Sequence, residues 1–291
     1  MDLNNIKAFV AVADTNSFSE AAELLYITQP AVSKRVASME NALSVKLFDR
    51  IGRRIIITET GISILEKCRL ILDTIDDTAK IINNRSGEIT GTLSIGTSHH
   101  IGLHHLLPVI REYVRLYPKV EMDIQFFSSE QVCEMVSGGD LELGVITLPL
   151  TIPVELSAQI LWNDPMQFVV SPAHPLSKSG TGQIKQLTEF NAILPERGTY
   201  THKIIEKVFQ KNNLELQSKF STNYLETIKM MVAVGLGWSV LPETLVDKDL
   251  SIIKLPKIKI SRQLGMIQHK QRTLSNSANA LNELLRQKSD S

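Results

Sequence analysis

Phe18-Ser-Glu-Ala-Ala-Glu-Leu-Leu-Tyr-Ile-Thr-Gln-Pro-Ala-Val-Ser-Lys-Arg-Val-Ala-Ser-Met-Glu-Asn-Ala-Leu-Ser-Val-Lys-Leu-Phe-Asp-Arg50 decides the fold of the first sixty residues. Ser17 or Ser19 can cap a helix over Glu20–Leu25, and the small Ala21 and Ala22 let another helix approach closely. Tyr26–Pro30 reads as a short turn. Thr28 can cap the next helix, and Pro30 fits its first turn, where backbone N–H groups have no intrahelical partner. This helix runs to about Leu43. Val32, Val36, Met39 and Leu43 form its apolar stripe, leaving Gln29, Ser33, Lys34, Arg35 and Ser38 for other surfaces. Upstream, Leu3, Ile6, Phe9, Val10 and Ala13 mark one face of a first helix. Downstream, Leu47–Thr58 reads as a β-hairpin with Gly52 at its tip.

Two helices joined by a short turn, the second polar at its start, match a DNA-reading unit; a plain three-helix packing module is the alternative. Charge favours the first. Between Tyr26 and Thr58 stand six cations (Lys34, Arg35, Lys46, Arg50, Arg53, Arg54) against two anions (Glu40, Asp49). Lys+Arg equals Asp+Glu at 31 each over the 291 residues, so this excess is local, where phosphate neutralisation would use it.

The order of pieces in the quoted stretch resembles the LysR-type regulators, and Thr58-Glu-Thr-Gly61 is similar to that family's Thr-x-Ala-Gly. Ser44 stands where the family has glycine, which implies a turn of less left-handed geometry, and Met39 replaces a common leucine. The resemblance implies base-contacting positions at Gln29, Pro30, Ala31, Ser33 and Lys34, with Arg35 nearby. It places the wing at Arg50, Arg53 and Arg54.

From Thr60 to about Asn84 there is no proline. Leu65, Cys68, Leu72, Ile75, Ala79 and Ile82 recur in steps of three and four, the spacing of a dimer seam. The resemblance implies a dimer arm too, and a dimer would present two recognition helices to a palindromic site. Asn83–Gly91 is rich in turn formers and reads as a hinge. Cys68 reads as a small buried residue, and so does Cys133.

After the hinge, strands alternate with helices: strand 92–97, helix 103–117, strand 120–126, helix 130–136 and strand 143–146. The pattern restarts beyond Pro153, with strands at 158–161, 167–171 and 238–241, helices at 202–211 and 225–234, then a strand at 265–269 and a helix at 277–285. Such alternation suggests βαβ units about a mostly parallel sheet. Gly139-Asp-Leu-Glu-Leu-Gly144, with Glu142 where the family has aspartate, extends the resemblance, as do His174-Pro-Leu176 and Val234–Pro242. The fold class expected is therefore α/β: a winged helix-turn-helix over 1–59, a linker helix and hinge over 60–91, and a two-lobed, periplasmic-binding-protein-like effector domain over 92–291. Lobe one would take 92–161 and 267–291, and lobe two 162–266.

The resemblance places an effector between the lobes. The matching positions are Thr97, Ser98, His99, Ser128, Ser129, Thr147, Gly198, Thr199, Tyr200 and Thr201. Hydroxyls and free N–H groups at helix starts suit a small anion, although Thr97, Ser128 and Thr201 could merely cap helices. His99-His-Ile-Gly-Leu-His-His105 is the least ordinary string. His99 or His100, when protonated, would bind an anion more weakly as pH rises. Imidazoles four apart can also bind zinc or copper, but no acidic third ligand is near in sequence, so no metal and no cofactor is expected.

The reading is of a regulator that binds palindromic promoter DNA as a homodimer or homotetramer, senses a small anionic metabolite and contacts RNA polymerase. An architectural DNA-binding protein or an α/β enzyme are the alternatives. The long second half argues against the first; the lack of Gly-x-Gly-x-x-Gly after a strand, Gly-x-Ser-x-Gly or a phosphate loop argues against the second. No basic-then-apolar leader follows Met1 and no apolar run reaches the ~20 residues of a membrane span, so the expected compartment is the cytoplasm, with no membrane partner.

Overall fold

The computed structural model describes residues 2–52, 54–177, 182–256 and 258–289, apart from the side chains of Arg50 and Ile51. The chain divides into two compact units, Met1–Arg85 and Ser86–Ser291.

In the first unit, α1 (Leu3–Thr15), α2 (Phe18–Leu24) and α3 (Gln29–Leu43) precede the antiparallel hairpin β1 (Phe48–Ile51) and β2 (Arg54–Ile57), and α4 (Glu59–Asn84) closes the unit. Ser17 caps α2 by accepting from Glu20 N–H, and Thr58 caps α4 by accepting from Gly61 N–H. Thr28 sits at the α3 cap without such a bond. Phe9, Val12, Ala21, Ala22, Val32, Val36, Met39, Leu47 and Phe48 form the core. Leu43 stands at the rim instead, 38% exposed. Ser44 takes the left-handed conformation itself (φ 56°, ψ 34°), which corrects the expected relaxation of that turn. An L side chain there costs roughly 1–2 kcal/mol, and closing α3 against the hairpin must outweigh it.

Closure rests on Glu40, a buried carboxylate on α3. Its Oε1 accepts from the N–H groups of Leu47 (2.8 Å) and Phe48 (3.4 Å), and Oε2 pairs with Lys46 at 2.8 Å. Burial penalises the charge, but Lys46 and the two N–H groups outweigh that and hold the carboxyl below its ordinary range.

The apolar stripe of α4 splits. Cys68 is buried in the core of its own unit, and Leu65 and Leu72 pack against that core. Cys68 is thus covered within its own chain, while Leu65 and Leu72 stay half-buried beside it. Ile75 and Ile82 remain outside, with Ile62, Leu70, Ile71 and Ile81 also exposed; Ala79 is exposed too.

In the second unit, β3 (Gly91–Thr97) pairs in parallel with β4 (Val120–Phe126) and β5 (Leu143–Thr147). Between β3 and β4 lie α5 (His99–Ile101), a π-helical turn over Gly102–Leu106, and α6 (Leu107–Leu116). The expected helix thus starts earlier and is interrupted. Pro108 explains the wide turn, because it has no N–H to give the His104 carbonyl. α7 (Ser129–Gly138) joins β4 to β5.

The strands expected at 158–161 and 167–171 are one, β6 (Leu156–Val170). Antiparallel β11 (Ile260–His269) pairs along Leu156–Met166, carrying the strand through Asn163-Asp-Pro165, where the sequence reads as a break. The second lobe adds β7 (Ala192–Leu194), α8 (Tyr200–Lys211), β8 (Ser218–Ser221), α9 (Leu225–Ala233), β9 (Ser239–Pro242) and β10 (Ser251–Ile252). The strand order is β10-β6-β11-β5-β3-β4 with β9 on β6, so the sheet is parallel across β5, β3 and β4 and antiparallel from β5 through β11 to β6, β9 and β10. Helix α10 (Asn276–Ser289) returns to the first lobe's core.

Leu161, Leu264 and Met266 belong to that core, whereas Met166 and Ile260 belong to the second lobe's. The crossings thus fall at about 162–165 and 261–263. Glu142, at the position where aspartate was expected, accepts from Ser275 N–H (2.6 Å) and its hydroxyl (3.1 Å), just before α10. Gly237 admits no side chain, since a Cβ there would lie 2.2 Å from the Asn191 carbonyl oxygen.

Candidate DNA-reading surface and effector cleft

At the start of α3, Gln29, Pro30 and Lys34 are exposed, while Ala31, Ser33 and Arg35 are half-buried. Gln29 donates to the Ser33 hydroxyl at 3.0 Å, which orients its amide along the helix face. Arg54 is exposed on β2. The Arg50 side chain and Arg53 lie outside the described residues. Tyr26, read only as a turn residue, is 96% exposed with φ 52° just before α3. Among the described residues no helix is long and apolar enough to cross a membrane.

A cavity of about 360 Å³ opens between the lobes. Of the expected residues, Ser98, His99, His100, Ser128, Ser129, Thr147, Thr199 and Thr201 line it; Thr97, Gly198 and Tyr200 do not. Thr97 is fully buried and donates to the Val145 carbonyl at 2.8 Å, tying β3 to β5. Gly198, at φ +98°, turns the chain into α8. Ser128 caps α7 in a reciprocal box with Gln131, and Thr199 caps α8 by accepting from His202 N–H at 3.2 Å. Thr201 is thus not a cap: its hydroxyl accepts from Arg262 Nη1 at 3.2 Å.

Arg262 was missed, and it lies where β11 crosses between the lobes. Its Nε donates to Asp164 Oδ2 at 2.7 Å, both side chains being almost wholly buried. It lines the cavity, and its Nη2 is buried without a partner. Opposite, Glu130 on α7 accepts from the Tyr200 N–H at the start of α8. A carboxylate from one lobe thus already occupies the helix start of the other.

His99 stacks on Phe126 (centroids 5.1 Å) and meets Tyr224 edge-on (4.9 Å) at the cavity wall. His100 and His104 both face Glu226 of α9, with Nδ1 of His100 at 3.4 Å and Nε2 of His104 at 3.3 Å from Oε1. His105 packs on Trp162. Burial pushes His100 and His105 below the ordinary imidazole value, and for His100 this outweighs Glu226. The His100 side chain and then His104 hold Glu226 down, to about 2. Cys133 is buried, and burial raises its thiol pKa, which fits an inert packing residue.

Known proteins agree with this architecture. The profile described as "Bacterial regulatory helix-turn-helix protein, lysR family" matches residues 3–62, and "LysR substrate binding domain" matches 86–290. A "Probable RuBisCO transcriptional regulator" from Thalassiosira pseudonana is 27% identical over 278 residues, covering 91% of this chain and 90% of that one. An uncharacterized HTH-type transcriptional regulator of the ibpB-leuC intergenic region of Azotobacter vinelandii is 53% identical over 108 residues, 37% of this chain and 75% of that one. A full-length OxyR variant from Pseudomonas aeruginosa shares the fold at a TM-score of 0.71 and 21% identity, with 99% and 94% coverage. The chain belongs to the LysR family of bacterial transcriptional regulators, with a helix-turn-helix domain and an effector-binding domain in one polypeptide, and is not an enzyme.

Proposed function

We propose that this regulator reads double-stranded promoter DNA as a homodimer or homotetramer, contacts RNA polymerase in the cytoplasm, and responds to a small anionic metabolite held between its lobes. The observation that carries the anion is Arg262, a buried guanidinium at the cavity with one nitrogen unpartnered. Ser98, Ser128, Thr147 and Thr199 supply hydroxyls around it. Glu130 at the α8 start supports the same chemistry, because a free carboxylate would compete for a position that already suits one. On the DNA side, Gln29, Pro30, Ala31, Ser33, Lys34 and Arg35 face the bases, with Arg50, Arg53 and Arg54 on phosphates.

Calorimetry with a panel of small carboxylic and phosphoric acids tests the cleft. Thr147→Ala or Thr199→Ala should weaken the acid that binds by about 1.5–3 kcal/mol, the worth of one hydrogen bond to a charged group. Unchanged affinity in both variants would place the effector elsewhere. For DNA, Arg54→Ala should weaken all sequences alike and flatten the salt dependence, whereas Gln29→Ala should relax sequence preference.

A further inference from the structure

We propose that His100, His104 and Glu226 form a site for one divalent transition-metal ion of the zinc class, joining the two lobes beside the effector cavity. Distances carry the case first. The two imidazole nitrogens stand 3.4 and 3.3 Å from the same carboxylate oxygen, and all three ligand atoms lie within 4.8 Å of one another. Those separations are long for hydrogen bonds. They match the edge of a tetrahedron, about 3.3 Å for metal–ligand bonds of ~2.0–2.1 Å.

The backbone is the second observation. Residues 102–106 form a π-helical turn, and its larger number of residues per turn brings positions i, i+4 and i+5 to one side, so His100, His104 and His105 converge. That convergence leaves two imidazoles with a buried, unpartnered Nε2, on His100 and on His105. A metal-bound imidazole is oriented through its other nitrogen by a neighbouring acceptor. Asp164 and His105 lie near His100, with ligand atoms within 4.8 Å of one of its ring nitrogens, but neither bonds its Nε2.

Charge is the third. Around His100 stand two carboxylates, Glu226 and Asp164, and one guanidinium, Arg262, whose Nε pairs with Asp164 at 2.7 Å. Among the described residues Glu226 makes no ion pair with a guanidinium, which favours the Glu226 trio over the alternative of His100, His105 and Asp164. Three protein ligands leave a coordination position open. The lack of an acid near the histidines in sequence does not weigh against the site, because the fold supplies Glu226 from 122 residues beyond His104.

The test uses tag-free, full-length protein treated with chelator, titrated with Zn²⁺ by calorimetry and with Co²⁺ by visible absorption. One ion per chain should bind, with Co²⁺ giving tetrahedral bands, and the melting temperature should rise with Zn²⁺. His104→Ala and Glu226→Gln should each weaken binding by more than the roughly 10–100-fold that losing an outer partner costs. His269→Ala should leave it unchanged. Both altered positions are partly exposed, and melting in metal-free buffer shows whether each variant keeps its fold. No saturable one-to-one binding, full affinity in either folded variant, or an equal loss in His269→Ala would overturn the proposal.

Discussion

Arg262→Met removes a guanidinium from beneath the cleft while keeping most of the side chain's length. Its partner, Asp164, is 1% exposed and is held by the 2.7 Å bond from Nε. Breaking a buried pair from one side strands the other charge, at about 3–5 kcal/mol. That cost outweighs the loss of the 3.2 Å bond to Thr201, whose hydroxyl can turn elsewhere. For a unit of this size, roughly 2–4 °C of melting temperature accompanies each kcal/mol, so the effector-binding transition should fall by about 6–20 °C. Asp164→Asn combined with Arg262→Met should recover most of that, because no bare charge remains. Differential calorimetry on the wild type, both single variants and the double variant reads each value. The double variant also separates two roles: its fold should return while its affinity for an acid does not. A single variant melting within about 2 °C of wild type would refute the reasoning, as would a double variant no better than the worse single.

Glu40→Gln keeps one acceptor for the Leu47 and Phe48 N–H groups but loses the charge, and should cost the first unit about 1–3 kcal/mol in urea unfolding followed near neutrality. Because the folded carboxyl titrates below its unfolded value, its stabilisation is present above the unfolded pKa and disappears as pH falls through the folded one; Glu40→Gln should therefore flatten the acid limb, and an unchanged limb would clear Glu40 of that role. On the arm, Ile75→Glu should abolish association in light scattering without lowering monomer stability, whereas Cys68→Glu should unfold the first unit; intact dimers in the former would remove Ile75 from the interface.

The elements that could be read from the sequence are those specified by neighbours. Helix α3 shows its cap position, its first-turn proline and a stripe at 32, 36 and 39 within fifteen residues, and the hairpin shows its tip at Gly52. Misreadings arose where a partner distant in sequence decided the outcome. β6 looks like two strands because Asn163-Asp-Pro165 resembles a turn, and only pairing with β11, a hundred residues on, keeps it extended. The stripe on α4 has coiled-coil spacing throughout, yet spacing does not say whether the facing surface is a second chain or the same one; Cys68 faces its own core.

The site follows the same rule more strongly. Hydroxyls at strand ends and helix starts could be found because those positions are local, and most of them do line the cavity. Arg262 lines it, Asp164 pairs with Arg262 and Glu226 faces His100 and His104 beside it, and nothing near these three in sequence marks them. Arg262 and Asp164 fall outside the strands expected from the sequence, and Glu226 lies in the first turn of a helix, where the dipole favours an acid anyway. What makes them chemical is juxtaposition across 98 residues in one case and 126 in the other. Both pairs form where the chain passes between lobes or where lobes face each other. A sensor whose charged groups pair across that divide gains a direct link between what enters the cleft and how the lobes sit, because a ligand that takes the start of α8 displaces the Glu130 contact between the lobes, while Arg262 can meet the same ligand through its unpartnered Nη2.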